Sequence, residues 1–330
     1  MKKLAVTLAA AVMMIIALTG CGTDSTSPLL TYVARASSDS FAPHLFILNP
    51  TTKTSTAVTI SIPTSALNVT SNSDATKVAY SRNGSNGWDI FLMGTDSVEK
   101  QLTTGLDAWA PAFSPDGKTI VFYNYNSGSS TRSITTMNLD GSNQKALYTG
   151  PSGTYAYYPQ FSPDGKSVVF YLYVSGCCAA QHRGAARMQA QNTNSAAPLQ
   201  QVASPSSGWY TMALTDTTAA LVYATSSWWG PAVYTADGKK LLLSIPSGTN
   251  NYFNVSSVNL DGTGLTPLTT STSADEVSAV PNKNLILFIR WNGTSSSYDI
   301  YTMDQTGANQ TLVSSTASTR EFLIDSYWGD

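Results

Sequence analysis

One pattern occurs three times in this chain and constrains its fold more than anything else. PAFSPDGKTIVFYNY runs from Pro111 to Tyr125, PQFSPDGKSVVFYLY from Pro159 to Tyr173, and PAVYTADGKKLLLSI from Pro231 to Ile245. Each copy opens with Pro, passes through a short apolar stretch, breaks at Asp-Gly-Lys and resumes as a β-rich run. That order predicts strand, tight turn, strand. Pro115 presets φ for the first central turn position, Asp116 suits the next, and Gly117 takes a left-handed position that a Cβ resists. The same holds for Pro163, Asp164 and Gly165.

The units continue beyond the repeat. LLTYVARAS from Leu29, HLFILNP from His44 and STAVTISI, ending at Ile62, read as three strands without a Pro-led opening strand. A second unit runs from about Ala66 to Gly105, with Ser73-Asp74 at its turn. A third runs to Gly150 and adds a hairpin turning at Asp140-Gly141. The fourth passes through SGCCAAQHRGAA and is expected to finish with ARMQAQNTNSAAPLQQVAS as two weaker strands. Later units span Trp228 to Thr270 and Glu276 to Ser315, and EFLIDSYWG offers a single strand at the end. Apolar residues alternate or come in short runs bounded by Gly, Asn, Ser and Pro, which favours strands over helices.

Units of this length with four strands each predict a β-propeller. Phe113 to Phe161 is 161−113 = 48 residues and Val233 to Val280 is 280−233 = 47, whereas Phe161 to Val233 is 72. The expected fold is therefore all-β, with six four-stranded blades if Gly208–Ser226 is an added hairpin, or seven if it is a degraded blade. A propeller must close its ring or expose an edge. The spare strand Glu321–Tyr327 is expected to pair into the first blade.

The motifs FSPDGKTIVF (113–122), FSPDGKSVVF (161–170), DIFLM (89–93), DIYTM (299–303), TMNLDG (136–141) and VNLDG (258–262) resemble the TolB-type, WD40-like (PD40) propeller repeat. The resemblance covers nearly all of the chain after its leader. It implies the fold and leaves function open, because propellers host many functions. No counterpart of the amino-terminal helper domain of TolB itself is expected, since strands are expected directly after the tether.

The amino terminus reads as a leader. Lys2 and Lys3 precede an apolar run from Leu4 to Leu18, which is the pattern of a signal peptide, assigned to residues 1–20. Leu18-Thr19-Gly20-Cys21 resembles the lipobox of bacterial lipoproteins, which implies acylation of Cys21. Residues 21–29 then form the lipidated cysteine and a flexible tether, and 30–330 a single propeller domain. Diacyl-type modification gives stable anchoring where one chain is marginal. Gly22 after the cysteine implies, by the same resemblance, outer-membrane sorting, facing the periplasm or the cell surface.

Removing Lys2 and Lys3 leaves 16 bases against 20 acids, a balance of −4. Only 12% of residues are charged, about half the usual share. No basic face is available for nucleic acid. The expected partners are an envelope protein, peptide or glycan, and the membrane through the lipid on Cys21; the domain is expected to be a monomer. Cys177 and Cys178 are adjacent, so an oxidising compartment permits a vicinal disulfide. His182 lies close by, but a tetrahedral metal site needs more ligands than this fragment offers, and no metal or cofactor is expected.

Binding is expected on one face. The SPDG and LDGS turns go to one side of the ring, and the longer second-to-third loops and blade links to the other. Variable loops on a rigid scaffold are where binding usually sits. Trp109, Tyr157 and Trp229 each precede the repeat's Pro by two residues, and Glu276 is the corresponding position before Val280. With Tyr125 and Trp291 they make the expected aromatic and polar rim, the alternative being that the aromatics only pack between blades. The recurring Asp-Gly residues read as turn chemistry. The two histidines, and the lack of a G-x-S-x-G elbow, a Walker loop or a dinucleotide fingerprint, speak against catalysis. The expected function is a lipid-anchored, non-catalytic binding module; a polysaccharide-lyase type of propeller enzyme and a structural envelope component are the alternatives.

Overall fold

A computed structural model describes residues 30–35, 42–49, 52, 54–84, 87–126, 131–175, 206–225, 229–247, 252–270, 275–277, 285–291 and 298–314. These residues form strands, turns and links, arranged as six antiparallel sheets. The first sheet holds β1 (Leu30–Arg35), β2 (Pro43–Asn49) and β3 (Thr54–Ala57). The second holds β4 (Leu67–Ser71), β5 (Lys77–Gly84), β6 (Gly87–Gly94) and β7 (Glu99–Gln101); the third β8 (Asp107–Phe113), β9 (Thr119–Asn126), β10 (Thr131–Asn138) and β11 (Lys145–Thr149). The fourth is β12 (Thr154–Phe161), β13 (Ser167–Val174), β14 (Gly208–Ala213) and β15 (Ala220–Ala224). The fifth is β16 (Trp229–Tyr234), β17 (Lys240–Ser247), β18 (Tyr252–Asn259) and β19 (Thr266–Pro267); the sixth β20 (Asp275–Val277), β21 (Leu285–Trp291), β22 (Tyr298–Asp304) and β23 (Thr311–Ser314). Within each sheet the strands lie side by side in chain order. The fold is a six-bladed β-propeller.

The repeat builds its turn as the sequence requires. Gly117 N–H donates to Ser114 C=O at 2.8 Å and sits at φ +66°. Ser114 Oγ donates to Asp116 Oδ1 at 2.6 Å, and the same carboxylate accepts from Lys118 N–H at 3.1 Å. Ser162 with Asp164, and Thr235 with Asp237, repeat the arrangement at 2.6 and 2.7 Å. These aspartates are scaffold, as their recurrence with glycine indicated.

Cross-strand aromatic pairs mark equivalent strands. Tyr80 faces Phe91, Phe170 faces Tyr210 and Phe288 faces Tyr301, each pair joining a blade's second strand to its third. Their rings stack with centroids 6.0, 6.2 and 5.5 Å apart. Tyr32 on β1 faces Phe46 on β2 in the same way, at 5.1 Å. β1 therefore holds a second-strand position, and no described residue fills the innermost position of the first blade. This agrees with a first unit that lacks its opening strand. The expected closing strand, Glu321–Tyr327, lies outside the described residues.

The fourth blade corrects the sequence reading. Its outer strands are β14 and β15, within Gly208–Ala224, so this stretch is neither an added hairpin nor a degraded blade. Residues 175–207 separate β13 from β14, where only 127–130 separate β9 from β10. The 72-residue spacing arises there. Tyr210 and Met212 alternate into the seam with the third blade and are buried. The stretch ARMQAQNTNSAAPLQQVAS, expected to supply those strands, lacks such apolar alternation and lies outside the described residues.

The core lies between blades. Val121 and Ile134 of the third blade meet Val168, Phe170 and Tyr210 of the fourth. Tyr32 meets Leu287, Ile289 and Ile300, so the first and last blades close on each other. Burying one such side chain contributes about 1.5–3 kcal/mol.

Two irregularities recur. Ladders shift register between Leu67 and Thr70, Trp109 and Ala112, and Tyr157 and Gln160, which marks a bulge in successive inner strands. Asn68, Ala110 and Tyr158 sit in these bulges at φ +49°, +51° and +51°. The outer turns also lean on the preceding blade. A Cβ at Gly141 would stand 2.6 Å from the carbonyl oxygen of Leu102, and one at Gly262 2.7 Å from that of Val222.

Candidate functional site

The inner-strand bulges position the expected rim. Trp109 and Tyr157 are the last paired residues before their bulges, and so is Trp229, whose ladder shifts before Val233. A bulge bends its strand and re-aims the neighbouring side chain. Trp109 packs on Trp88 of the second blade, ring centroids 3.9 Å apart, and its Nε1–H donates to Asp107 Oδ1 at 3.1 Å. Ala110 N–H, inside the bulge, donates to Ser81 Oγ at 3.1 Å and ties the turn to the blade before.

Around Tyr157 lies a tyrosine cluster. Tyr157 is 5.5 Å from Tyr123 across the seam of blades three and four, and stacks with Tyr155 at 6.1 Å and 7°. Tyr155 also meets Tyr173 at 6.0 Å. Arg132, at the start of β10, lies over Tyr125 at 4.5 Å and over Tyr155 at 4.1 Å. Tyr125, Tyr155, Tyr157, Tyr173, Trp88 and Trp109 are all half-buried, so they pack between blades and still present surface. The packing between blades is thus observed, and the exposed part of each ring is the surface that a binding rim would use. Burial pushes the Tyr157 phenol up to about 12 and raises that of Tyr123 as well, so both stay neutral near pH 7.

The structure brings Trp109, Tyr157 and Tyr125 into one region. Trp291 ends β21 opposite Tyr298 on the sixth blade. Trp229 pairs with Ser244 and Glu276 with Ile289, which places both on inner strands; their side chains are not among the described ones. Cys21, Cys177, Cys178 and His182 lie outside the described residues. Among the described residues no three of His, Cys, Asp and Glu gather as a metal ion requires.

Sequence reasoning missed Arg132 and Tyr155. Arg132 sits in a loop-flanking stretch and gains its meaning only from the hairpin register, which sets it opposite Tyr125. Tyr155 is two residues from Tyr157 and shares its strand face by simple alternation, a signal that was available.

Solved structures that share the fold include the following three. TolB from Acinetobacter baumannii is 20% identical with TM-score 0.56, the match covering 85% of this chain and 62% of that one. A protein from Agrobacterium tumefaciens assigned as TolB is 14% identical with TM-score 0.59, covering 85% and 88%. An oligogalacturonate lyase in complex with manganese is 14% identical with TM-score 0.52, covering 86% and 72%. The chain thus spans under two thirds of the Acinetobacter protein's length. At these identities the likeness is one of fold, a propeller of the TolB type. No family model matches the sequence, and no curated protein matches it.

Proposed function

We propose that this chain is a lipid-anchored module of the bacterial cell envelope that binds a partner protein or glycan chain on its loop face and performs no chemistry. The observation that carries this reading is the aromatic cluster in which half-buried Trp88 and Trp109 connect through buried Tyr123 to half-buried Tyr157, Tyr155 and Tyr173. Tyr and Trp supply large contact area at low entropic cost, and Ser, Asn and Gly around them supply adaptable hydrogen bonds. The opposite face is occupied by closed turns whose carboxylates are satisfied internally, as at Asp116 and Asp140. The likeness in fold to TolB structures supports an interaction role and an envelope location. The lipobox at Cys21 supports the anchor.

Site-specific photocrosslinking in intact envelopes tests the face. A crosslinker at Tyr125 or Trp291 is expected to capture a partner, whereas one at Asp140 or Asp261 is not. Adducts confined to the turn face would overturn the reading. Cys21→Ser is expected to release the protein from the membrane fraction. Product formed from polygalacturonate, with or without manganese, and lost in Glu276→Gln would establish catalysis instead.

A further inference from the structure

Arg82 and Arg132 both stack on aromatic rings, and among the described residues Arg82 is given a carboxylate and Arg132 is not. Arg82 lies 4.2 Å over Phe91, and its Nε and Nη2 donate to Glu99 at 3.1 and 2.5 Å. Arg132 lies instead between two rings, Tyr125 of its own blade and Tyr155 of the next, at 4.5 and 4.1 Å. Among the described residues its guanidinium has neither a hydrogen-bond acceptor nor an ion-pair partner, and its Nε is closed to solvent with no acceptor. The neighbouring carboxylate does not serve it. Asp107 lies beyond Tyr125 in the ladder and accepts from Trp109 Nε1–H instead.

A half-buried charge without a counter-charge is costly to maintain. A guanidinium whose plane is fixed by two rings is also preorganised, since its fork of donors matches a carboxylate and little freedom remains to be lost. We propose that Arg132, clamped by Tyr125 and Tyr155, is the receptor for a single Asp or Glu side chain on an extended segment of a partner protein. This rests on the binding reading above and specifies the partner's chemistry. Uncharged residues on either side of that carboxylate would lie against Tyr157 and Tyr173.

The charge pattern favours a peptide over an acidic polysaccharide. A polyuronate carries a carboxylate on every sugar. The seam offers Arg132 with Asp107 close by, on a chain of net charge −2, so the further carboxylates would meet no cation and some repulsion. One isolated acid in a largely uncharged segment fits.

The test is selection from a random linear heptapeptide library displayed on phage, with the full-length protein as bait, followed by calorimetry on the synthesised winners. The selected peptides are expected to share one Asp or Glu. Replacing it with Asn or Gln should weaken binding to the wild-type protein about tenfold or more, since charge-assisted hydrogen bonds are strong. Arg132→Gln should weaken the acidic peptide comparably and abolish the difference between acid and amide peptides. Arg132→Lys, which keeps the charge without the planar fork, should recover part of it. The peptide replacements read on wild-type protein, so an unfolded variant would not hide the answer. Winners with no shared acid, or an acid-to-amide cost that persists in Arg132→Gln, would sink the proposal while leaving the binding function standing. Polygalacturonate displacing every winner from the wild-type protein, but none from Arg132→Gln, would overturn the peptide in favour of a glycan. No winners, together with no crosslinked partner, would remove the binding function itself.

Discussion

Arg132 and Tyr155 belong to different blades, and the guanidinium carbon of the one stands 4.1 Å from the ring centre of the other. Tyr125 holds the same guanidinium from its own blade at 4.5 Å. Because both rings act on one cation, their effects on stability are expected to be non-additive. Tyr155→Leu and Tyr125→Leu should each cost about 0.5–2 kcal/mol in urea denaturation. The double variant should differ measurably from their sum. Simple additivity would mean that the rings contribute burial alone.

Gly141 and Gly165 both lie at positive φ, +87° and +69°, yet their surroundings differ. A Cβ at Gly141 would press on the Leu102 carbonyl oxygen at 2.6 Å, whereas one at Gly165 meets nothing nearer than Pro115 Cδ at 3.6 Å. Gly165→Ala should cost about 1 kcal/mol from backbone strain. Gly141→Ala should cost roughly 2–3 kcal/mol, because it must also push the turn off the second blade. Equal losses of Tm in the two variants would show that the outer turn is not seated on its neighbour.

Ala110 carries a side chain at φ +51° in a bulge that its blade needs. Replacing it with Gly removes the strain but loosens the unfolded chain, and the two effects nearly offset. Ala110→Gly should stay within about 1 kcal/mol of the wild type. Ala110→Val, with a branched Cβ in the left-handed region, should lose about 2–3 kcal/mol. Both are read from chemical denaturation midpoints.

The turn carboxylates give the fold an acid limit. Asp116, Asp164 and Asp237 are held below the ordinary value of 3.8, chiefly by the hydroxyls of Ser114, Ser162 and Thr235. For a lowered carboxylate, the stabilisation is present above the unfolded value and is lost as pH falls through the folded one. Tm should therefore be level from neutrality to about pH 5 and fall below about pH 4. Asp116→Asn should lower Tm at neutral pH and make the acid fall shallower. Asp89 works in the opposite sense. Burial raises its value against the hydrogen bonds from Thr103 and Gln101, so protonation relieves it, and Asp89→Asn should steepen the acid loss.

Because β1 holds a second-strand position, a chain lacking Glu321–Asp330 is expected to have a sharply lowered Tm. An unchanged midpoint in that deletion would exclude the closing strand.

The Pro-x-Phe-Ser-Pro-Asp-Gly repeat revealed the blades because turn chemistry is local: Ser114, Asp116 and Gly117 contact one another within four positions. The in-phase aromatics were legible for the same reason, since one bulge recurs in successive inner strands. The fourth blade was misread because strand pairing is indifferent to what lies between strands, and Phe170 finds Tyr210 across a long insertion. Arg132 was missed because its environment is built by two blades. No spacing in the sequence shows that Tyr155 will arrive above it.

Gly141 meets Leu102, Gly262 meets Val222, and Gly307 likewise meets Leu268: each outer turn rests on the blade made before it. For a chain delivered from its amino end, every footing is laid before the piece that stands on it, and the wall can rise course by course. One joint is different. Tyr32 must wait for Leu287, Ile289 and Ile300, which arrive only with the last blade. A nascent molecule therefore spends most of its assembly with a bare edge at its beginning, and its dependence on protection by other proteins should end when that edge is met.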